Sequence, residues 1–517
     1  MSSPAARTAR RVALAAFLLY AASGGGRIVG SDEVTMLELS RALLRGRVDV
    51  PVGATLQGRD GRAYTKNAAG QAILALPLVA VAEGLATATD LPPPRRTLLV
   101  RCVVSFFNAA VTAVLLGFFY YACRGFGVRA TTALGGAILL GFTTPLWIYA
   151  KSFMAEPLQA LGLLLALVGA ARAGEGRWPW VAALGVLIAV SVKLSMLPFA
   201  LIALAPLLAH GFDRTRPALG ALAVALAGHA AYNLARFGTP LETGYGAQAT
   251  PAAYTTPLLV GLYGLLLSPG KGVLWYAPAL WVTPWAWKEV IGTTLDRPWH
   301  GGRIMVQVEP ARRAALIALA MWIVALLLYG SFEHWAGDGS FGPRYLVPLL
   351  APALIVVVLV LDGSSRERRR VARALGLLGL LVQLGGVGVY YGAQMREAGD
   401  YPYTRALSDP RFMSDSHFNP AYSPIAAHWK MLLRDLREHV TGRMPRIAGD
   451  GAIDPRLGVG AEDRDRLLHA IDLWWLYALY AGLPAAPVLA AALALIAAAV
   501  WAARLAWRSA LSEMAAR

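Results

Sequence analysis

Asp32 and Glu33 stand side by side directly after the first membrane-length apolar segment, which runs from about Val12 to Val29. Carboxylates at a membrane edge can meet a lipid headgroup from one side and a water-borne molecule from the other, and a carboxylate so placed can take a proton from a reacting hydroxyl. The residues that follow, Val34 to Arg45, read as an amphipathic helix. At about 100° per residue, Met36, Leu37, Leu39, Leu43 and Leu44 form one stripe, while Glu38, Arg41 and Arg45 form the other. A helix of that kind lies flat on the interface. A plainer reading has Ser31 or Asp32 as the N-cap of this helix and Glu33 in its first turn, favouring the dipole. The two readings are compatible.

Other residues could serve the same chemistry. Leu267-Ser-Pro-Gly-Lys-Gly272 fails as a phosphate loop, because Gly264 is one residue too far upstream and Gly272 follows the lysine where Ser or Thr is needed. It survives as a Gly-rich turn whose N–H groups and Lys271 can hold a phosphate, or whose lysine merely anchors a helix start. Lys66, in Tyr64-Thr-Lys-Asn-Ala-Ala-Gly-Gln71, can neutralise a lipid phosphate or snorkel to anionic headgroups. Arg344, in Phe341-Gly-Pro-Arg-Tyr345, sits at the mouth of a span with the same two readings. Glu156 precedes Pro157 at a helix start, where a first-turn carboxylate is the plain alternative. His334 and Asp338 flank Trp335 and can bind a sugar or, less favourably, a metal. The eight histidines show no metal-ligand spacing, so no metal site and no cofactor is assigned, with a divalent cation left open. No nucleophile elbow or Ser-His-Asp order stands out.

These residues must be positioned by membrane helices. The chain has 517 residues, 57% of them hydrophobic, with 31 Pro and 52 Gly, which fits broken and short helices in lipid. The net charge of +17 falls mostly in short loops, where it sets topology and argues against nucleic-acid binding. Cys102 and Cys123 lie near opposite ends of one expected helix, roughly 30 Å apart, too far for a disulfide. Arg7, Arg10 and Arg11 resemble a signal-peptide n-region, but the first apolar segment is read as an uncleaved span.

Apolar segments fall near 12–29, 70–88, 98–122, 130–149, 156–172, 178–192, 195–210, 216–235, 272–290, 314–332, 345–361, 373–392 and 473–503. Counting all of them as spans puts the basic runs Arg214/Arg216, Arg312/Arg313 and Arg366 to Arg373 outside. Reading 70–88, with its Pro77 and Glu83, as re-entrant or interfacial returns every later basic loop to the inside. The expectation is an all-α polytopic membrane protein of about twelve spans, both termini cytoplasmic, in a bacterial inner membrane. Three parts are expected: a transmembrane catalytic domain at 1–392 with its first outer loop at 31–97, an external region at 393–472, and a final helix and tail at 473–517. The candidate residues then share the outer face. Lys193 and His229 interrupt apolar stretches, but no span centre holds the buried acid or paired charges a coupled carrier needs.

Taken in order, the motifs resemble those of the GT-C glycosyltransferases, membrane enzymes that use polyprenyl-phosphate-linked sugars and include protein O-mannosyltransferases and aminoarabinose-lipid transferases. The resemblance rests on Ser31-Asp-Glu with the helix ending Leu-Leu-Arg-Gly46, on Tyr64 to Pro77, on Ser152-Phe-Met-Ala-Glu-Pro157 and on Leu184 to Pro198. Arg236-Phe-Gly-Thr-Pro-Leu-Glu-Thr-Gly-Tyr245, Gly264 to Gly272, Trp275-Tyr-Ala-Pro278, Phe341 to Leu346 and His417-Phe-Asn-Pro-Ala-Tyr-Ser-Pro424 are similar to one bacterial branch. It covers residues 30–425 and departs at Asn67-Ala-Ala-Gly70, where relatives often carry an aromatic and prolines. The resemblance implies inverting transfer of a sugar from a polyprenyl-phosphate donor to an acceptor hydroxyl of a protein, lipid or glycan. Asp32 would be the general base and Glu33 its helper. Lys66, Lys271 and Arg344 would hold the donor phosphate, and Glu156, Tyr245, His334 and Asp338 would line the sugar and acceptor site. A lipid-linked-sugar transporter or flippase, or a non-catalytic assembly subunit, are the alternatives.

Overall fold

The computed structural model describes residues 3–52, 55–295, 309–337, 339–397, 417–447 and 466–515. Helices dominate these residues, and their one small sheet pairs Leu56 with Tyr64 and Gln57 with Ala63 in a hairpin. Seven helices are long and apolar enough to cross a membrane, and five shorter apolar helices of 10–17 residues accompany them. The all-α membrane architecture is therefore as expected, but several expected spans are broken.

The first helix, α1 (Pro4–Ser23), ends six residues earlier than the apolar run does, and Gly24 continues in extended backbone. The acidic pair opens α2 (Ser31–Leu43), whose N-cap is Gly30 and neither Ser31 nor Asp32. Helix α3 (Ala69–Thr87) runs through Pro77 without a break and is one of the seven able to cross, so the proline does not disqualify it. Glu83 on α3 is paired with Arg41 of α2. With α4 (Pro93–Ser105), these two helices build a small apolar core around Leu37, Val79 and Val104. The segment expected as one span at 98–122 lies within Arg95–Gly125, one of the seven able to cross, where α4 passes into α5 (Phe107–Gly125) through the single turn residue Phe106; Cys102 and Cys123 are both free.

The expected span at 130–149 is two helices, α6 (Ala130–Phe142) and α7 (Leu146–Ala150), with Pro145 between them. Next comes α8 (Glu156–Ala171), the centre of the bundle: every one of its residues is buried, as an all-round apolar helix demands. Its neighbour α9 (Trp178–Val192) packs closely enough that a Cβ on Gly185 would lie 2.2 Å from the Ala166 nitrogen. Small residues on both helices permit that approach. A break at Lys193 separates α9 from α10 (Leu197–Ala209).

Helix α11 (Phe212–Phe237) stops at Gly238, whose φ of +82° is cheap only for glycine. The short apolar helix α12 (Leu258–Leu267) lies in a stretch that the apolar count passes over. The expected span at 272–290 is α13 (Val273–Tyr276), a 3-10 turn and α14 (Thr283–Leu295). Then come α15 (Pro310–Ser331), α16 (Leu350–Gly363), α17 (Arg366–Gly388) and α18 (Tyr391–Glu397). Beyond them are the amphipathic α19 (Pro424–Val440), α20 (Trp474–Tyr480) and the long α21 (Ala485–Ala515) beside α1.

Basic residues gather at one end of this bundle. Arg124 of α5 pairs with Glu513 of α21 at 2.9 Å, Arg129 with Asp362 at 2.9 Å, and Arg313 donates to the Ala171 carbonyl at 2.7 Å. The opposite ends of α8 and of the segment entering α16 carry Glu156 and Arg344.

Candidate active site

Asp32 occupies the first turn of α2, and Arg344 reaches it from 312 residues away: Nη2 donates to Oδ2 at 2.9 Å. The same guanidinium donates from Nε to Glu156 Oε1 at 2.6 Å, so one arginine bridges both acids. Glu156 is buried, and its Oε2 has no hydrogen-bond partner. A buried carboxylate oxygen left unpaired is costly, and a ligand hydroxyl or ammonium would satisfy it.

Lys66 and Lys193 act on Asp32 electrostatically from two further segments. Lys66 Nζ lies 5.2 Å from the ring centre of Tyr245, and Lys193 Nζ lies 5.6 Å from that of Tyr345. Burial alone would raise the pKa of Asp32. The charges of Arg344 and Lys66, the Arg344 hydrogen bond and the more remote Lys193 outweigh it and hold Asp32 at about 2. Three cations thus face two carboxylates, and the surplus positive charge suits an anion.

Glu33 has the opposite environment. Its Oε2 accepts the Gly30 amide at 2.7 Å, which secures the start of α2, and its Oε1 accepts the Phe153 amide at 2.6 Å. Burial raises its pKa against the pull of those two amides. Two adjacent acids therefore have pKa values pushed apart, Asp32 down and Glu33 up.

The loops around Asp32 are fixed by buried amides and one arginine. Asn108 donates to the carbonyls of Ser152 at 2.8 Å and Met154 at 2.7 Å, and Gln71 donates to that of Phe153 at 2.7 Å. Together with Glu33 they hold the turn that delivers Glu156 to the start of α8. Arg236, fully buried in the last turn of α11, donates to the Thr65 carbonyl and to Asn233 Oδ1, the latter at 2.7 Å. Asn67 donates to Thr35 Oγ1 at 3.0 Å. These two contacts seat the Lys66 loop on α2. The Arg236 motif thus acts through the backbone next to Lys66.

Of the residues singled out in the sequence, the structure brings together Asp32, Glu156, Arg344, Lys66 and Tyr245. The bonds of Lys271 go to a loop next to them: its Nζ donates to the Ser340 carbonyl at 2.6 Å and to its Oγ at 3.2 Å, bracing the loop that leads to Arg344. His334 contacts Gln248 through its Nε2 at 2.9 Å and stands beside Glu333. Asp338 lies outside the described residues. Lys193, in the sequence only a charge that interrupts an apolar stretch, joins the site. Its extended backbone, at the break after α9, is what brings it there. His229 is bonded to the Val190 carbonyl at 2.7 Å, within the helix pair.

A second ionic cluster adjoins Glu33. Asp472 accepts from Arg27 Nε at 2.8 Å and from Lys151 Nζ at 2.9 Å. Lys151 also donates to the carbonyls of Val387 and Asp472, each at 2.6 Å. Arg27 lies over the rings of Tyr390 and Tyr477 at 4.1 and 4.8 Å. Arg27, Lys151, Tyr390 and Asp472 line a cavity together with Glu33.

No family model matches the sequence, and no curated protein matches it significantly. Among solved structures, the chain is similar to the crystal structure of ArnT from Cupriavidus metallidurans bound to undecaprenyl phosphate, with 15% identity and a TM-score of 0.49. The apo-state crystal structure of the same protein gives 16% identity and a TM-score of 0.47. Each match covers 92% of this chain and 77% of that chain.

Proposed function

We propose that the protein is a membrane glycosyltransferase that moves a sugar from a polyprenyl-phosphate donor to an acceptor hydroxyl, with Asp32 as the general base. One observation carries this reading. Arg344 joins Asp32 to Glu156, whose second oxygen is unpaired, while Lys66 and Lys193 leave the cluster with more positive than negative charge. The order of motifs from Ser31 to Pro424 supports the same reaction class.

The acceptor oxygen attacks the anomeric carbon, the bond from that carbon to the phosphate oxygen breaks, and the hydroxyl proton passes to Asp32. Polyprenyl phosphate leaves with its charge stabilised by Lys66, Lys193 and Arg344. With no covalent intermediate, the single displacement inverts the anomeric centre. While Arg344 is bound to it, Asp32 is a weak base. A donor phosphate that draws Arg344 away would raise its basicity at the moment the acceptor arrives. Glu156 receives a sugar or acceptor hydrogen-bond donor, and Tyr245 lies against the Lys66 side of the pocket. Glu33 sets the position of Asp32 by capping α2. Lys271 supports the Arg344 loop, and the site opens to the outer face.

The test is transfer from a panel of polyprenyl-phosphate sugars by purified wild type and Asp32→Asn. Release of polyprenyl phosphate that depends on Asp32 is the expected result. Turnover retained by a folded Asp32→Asn protein would remove Asp32 from the role, and failure to bind any donor would remove the reaction class.

A further inference from the structure

A different group of polar residues lies on the amphipathic helix α19 and the segment that enters α20. Asp435 and Glu438 are three residues apart on α19 and so share a face. His469 reaches them across 31 residues of sequence, its Nδ1 2.8 Å from Glu438 Oε2. One ligand atom from each of the three lies within 4.8 Å of the others. Asp435 is completely buried, and while its Oδ1 accepts from Arg434 Nε at 2.9 Å, its Oδ2 has no hydrogen-bond partner.

Arg434 is not enough to balance this group. It also pairs with Glu397 at 2.7 Å and donates to the Leu468 carbonyl at 3.0 Å, so its guanidinium is divided between two carboxylates and a carbonyl. His439, the other imidazole on this helix, bonds to the Asp435 carbonyl and the Tyr480 hydroxyl through its two nitrogens. Glu438 and His469 remain partly open to solvent, which leaves an entry path. Bonds of about 2.0–2.2 Å from a tetrahedral ion put neighbouring donor atoms roughly 3–3.5 Å apart, a spacing these side chains reach with small rotations.

We propose that Asp435, Glu438 and His469 form a divalent-cation site that ties α19 to the segment entering α20. One imidazole and two carboxylates favour a zinc-class ion over calcium or magnesium, which prefer all-oxygen sets. Its role is structural. The ion clamps the chain three residues before Asp472 and so steadies the strap that holds Arg27 and Lys151.

The experiment uses the full chain in lipid nanodiscs, stripped with a chelator, loaded with Zn²⁺, desalted and analysed for bound metal by mass spectrometry. Wild type should retain about one ion per chain, and Glu438→Gln/His469→Ala should retain none at this site. Equal zinc in wild type and variant overturns the proposal, because the ion would then lie elsewhere. As a readout that needs no variant, Co²⁺-loaded wild type should show visible ligand-field absorption and a raised thermal midpoint. A colourless Co²⁺ sample with an unmoved midpoint also overturns it.

Discussion

Two buried ionic clusters lie close together near the start of α2, and they are built from similar groups to opposite ends. In one, Arg344 bridges Asp32 and Glu156. In the other, Asp472 receives both Arg27 and Lys151. The Asp472 cluster is saturated: Lys151 has three acceptors, both oxygens of Asp472 are taken, and Arg27 also lies against two tyrosine rings. The Arg344 cluster has unused capacity, in the free Oε2 of Glu156 and in the extra charges of Lys66 and Lys193. A saturated cluster fixes the fold, whereas one with an open oxygen and surplus charge is prepared for a ligand. Asp32 and Glu33, adjacent in sequence, are divided between these two environments.

The sharpest way to break that comparison is to remove one carboxylate from each cluster. Asp32→Asn should lower turnover by about 10²–10⁴-fold and cost less stability than the Asp472 variant, because Arg344 keeps Glu156 as its partner, measured by donor turnover and thermal unfolding. Asp472→Asn should do the reverse. It leaves Lys151 and Arg27 buried without their carboxylate and should cost about 3–5 kcal/mol of stability by denaturant titration, with turnover per folded molecule retained. If the two variants exchanged phenotypes, the assignment of ligand site and strap would be the wrong way round.

Smaller changes sharpen the same contrast. Lys66→Gln and Lys193→Gln should each lower kcat/KM about tenfold, the equivalent of roughly 1.4 kcal/mol, with kcat falling as well as donor KM rising, because both face the phosphate on which charge grows. The effect of pH should be smallest in wild type. Asp32 is held at about 2, below its ordinary value, so its ion pairs stabilise the fold above the ordinary carboxylate range and lose that contribution as pH falls toward 2. The kcat/KM profile should therefore show no acid limb from Asp32 between about pH 5 and 8. Arg344→Gln removes the main charge that opposes burial, and an acid limb should move up toward that window.

Much of the site was legible because polar residues in an apolar chain are few and stand at the ends of hydrophobic runs. Asp32, Lys66, Glu156, Tyr245 and Arg344 were marked by that contrast and by the order of their motifs. The helical architecture was legible for the same reason: long apolar runs must satisfy their backbone internally. Where the runs break was harder to read. Hydropathy does not register the turns at Pro145 and Lys193, and α12 is short enough to be missed.

The sequence by itself determined a helical membrane protein and the set of charges available to a site. Only the tertiary structure decided their partners. Asp32 meets Arg344 from 312 residues away, and Glu33 turns to the amides of Gly30 and Phe153. Lys193 enters the site, while Lys271 goes to Ser340. The physical reason is that a charge near a membrane must find a counter-charge or hydrogen bond, and sequence states that need without naming the partner. Partner choice depends on which helix ends meet, and packing around α8 settles that.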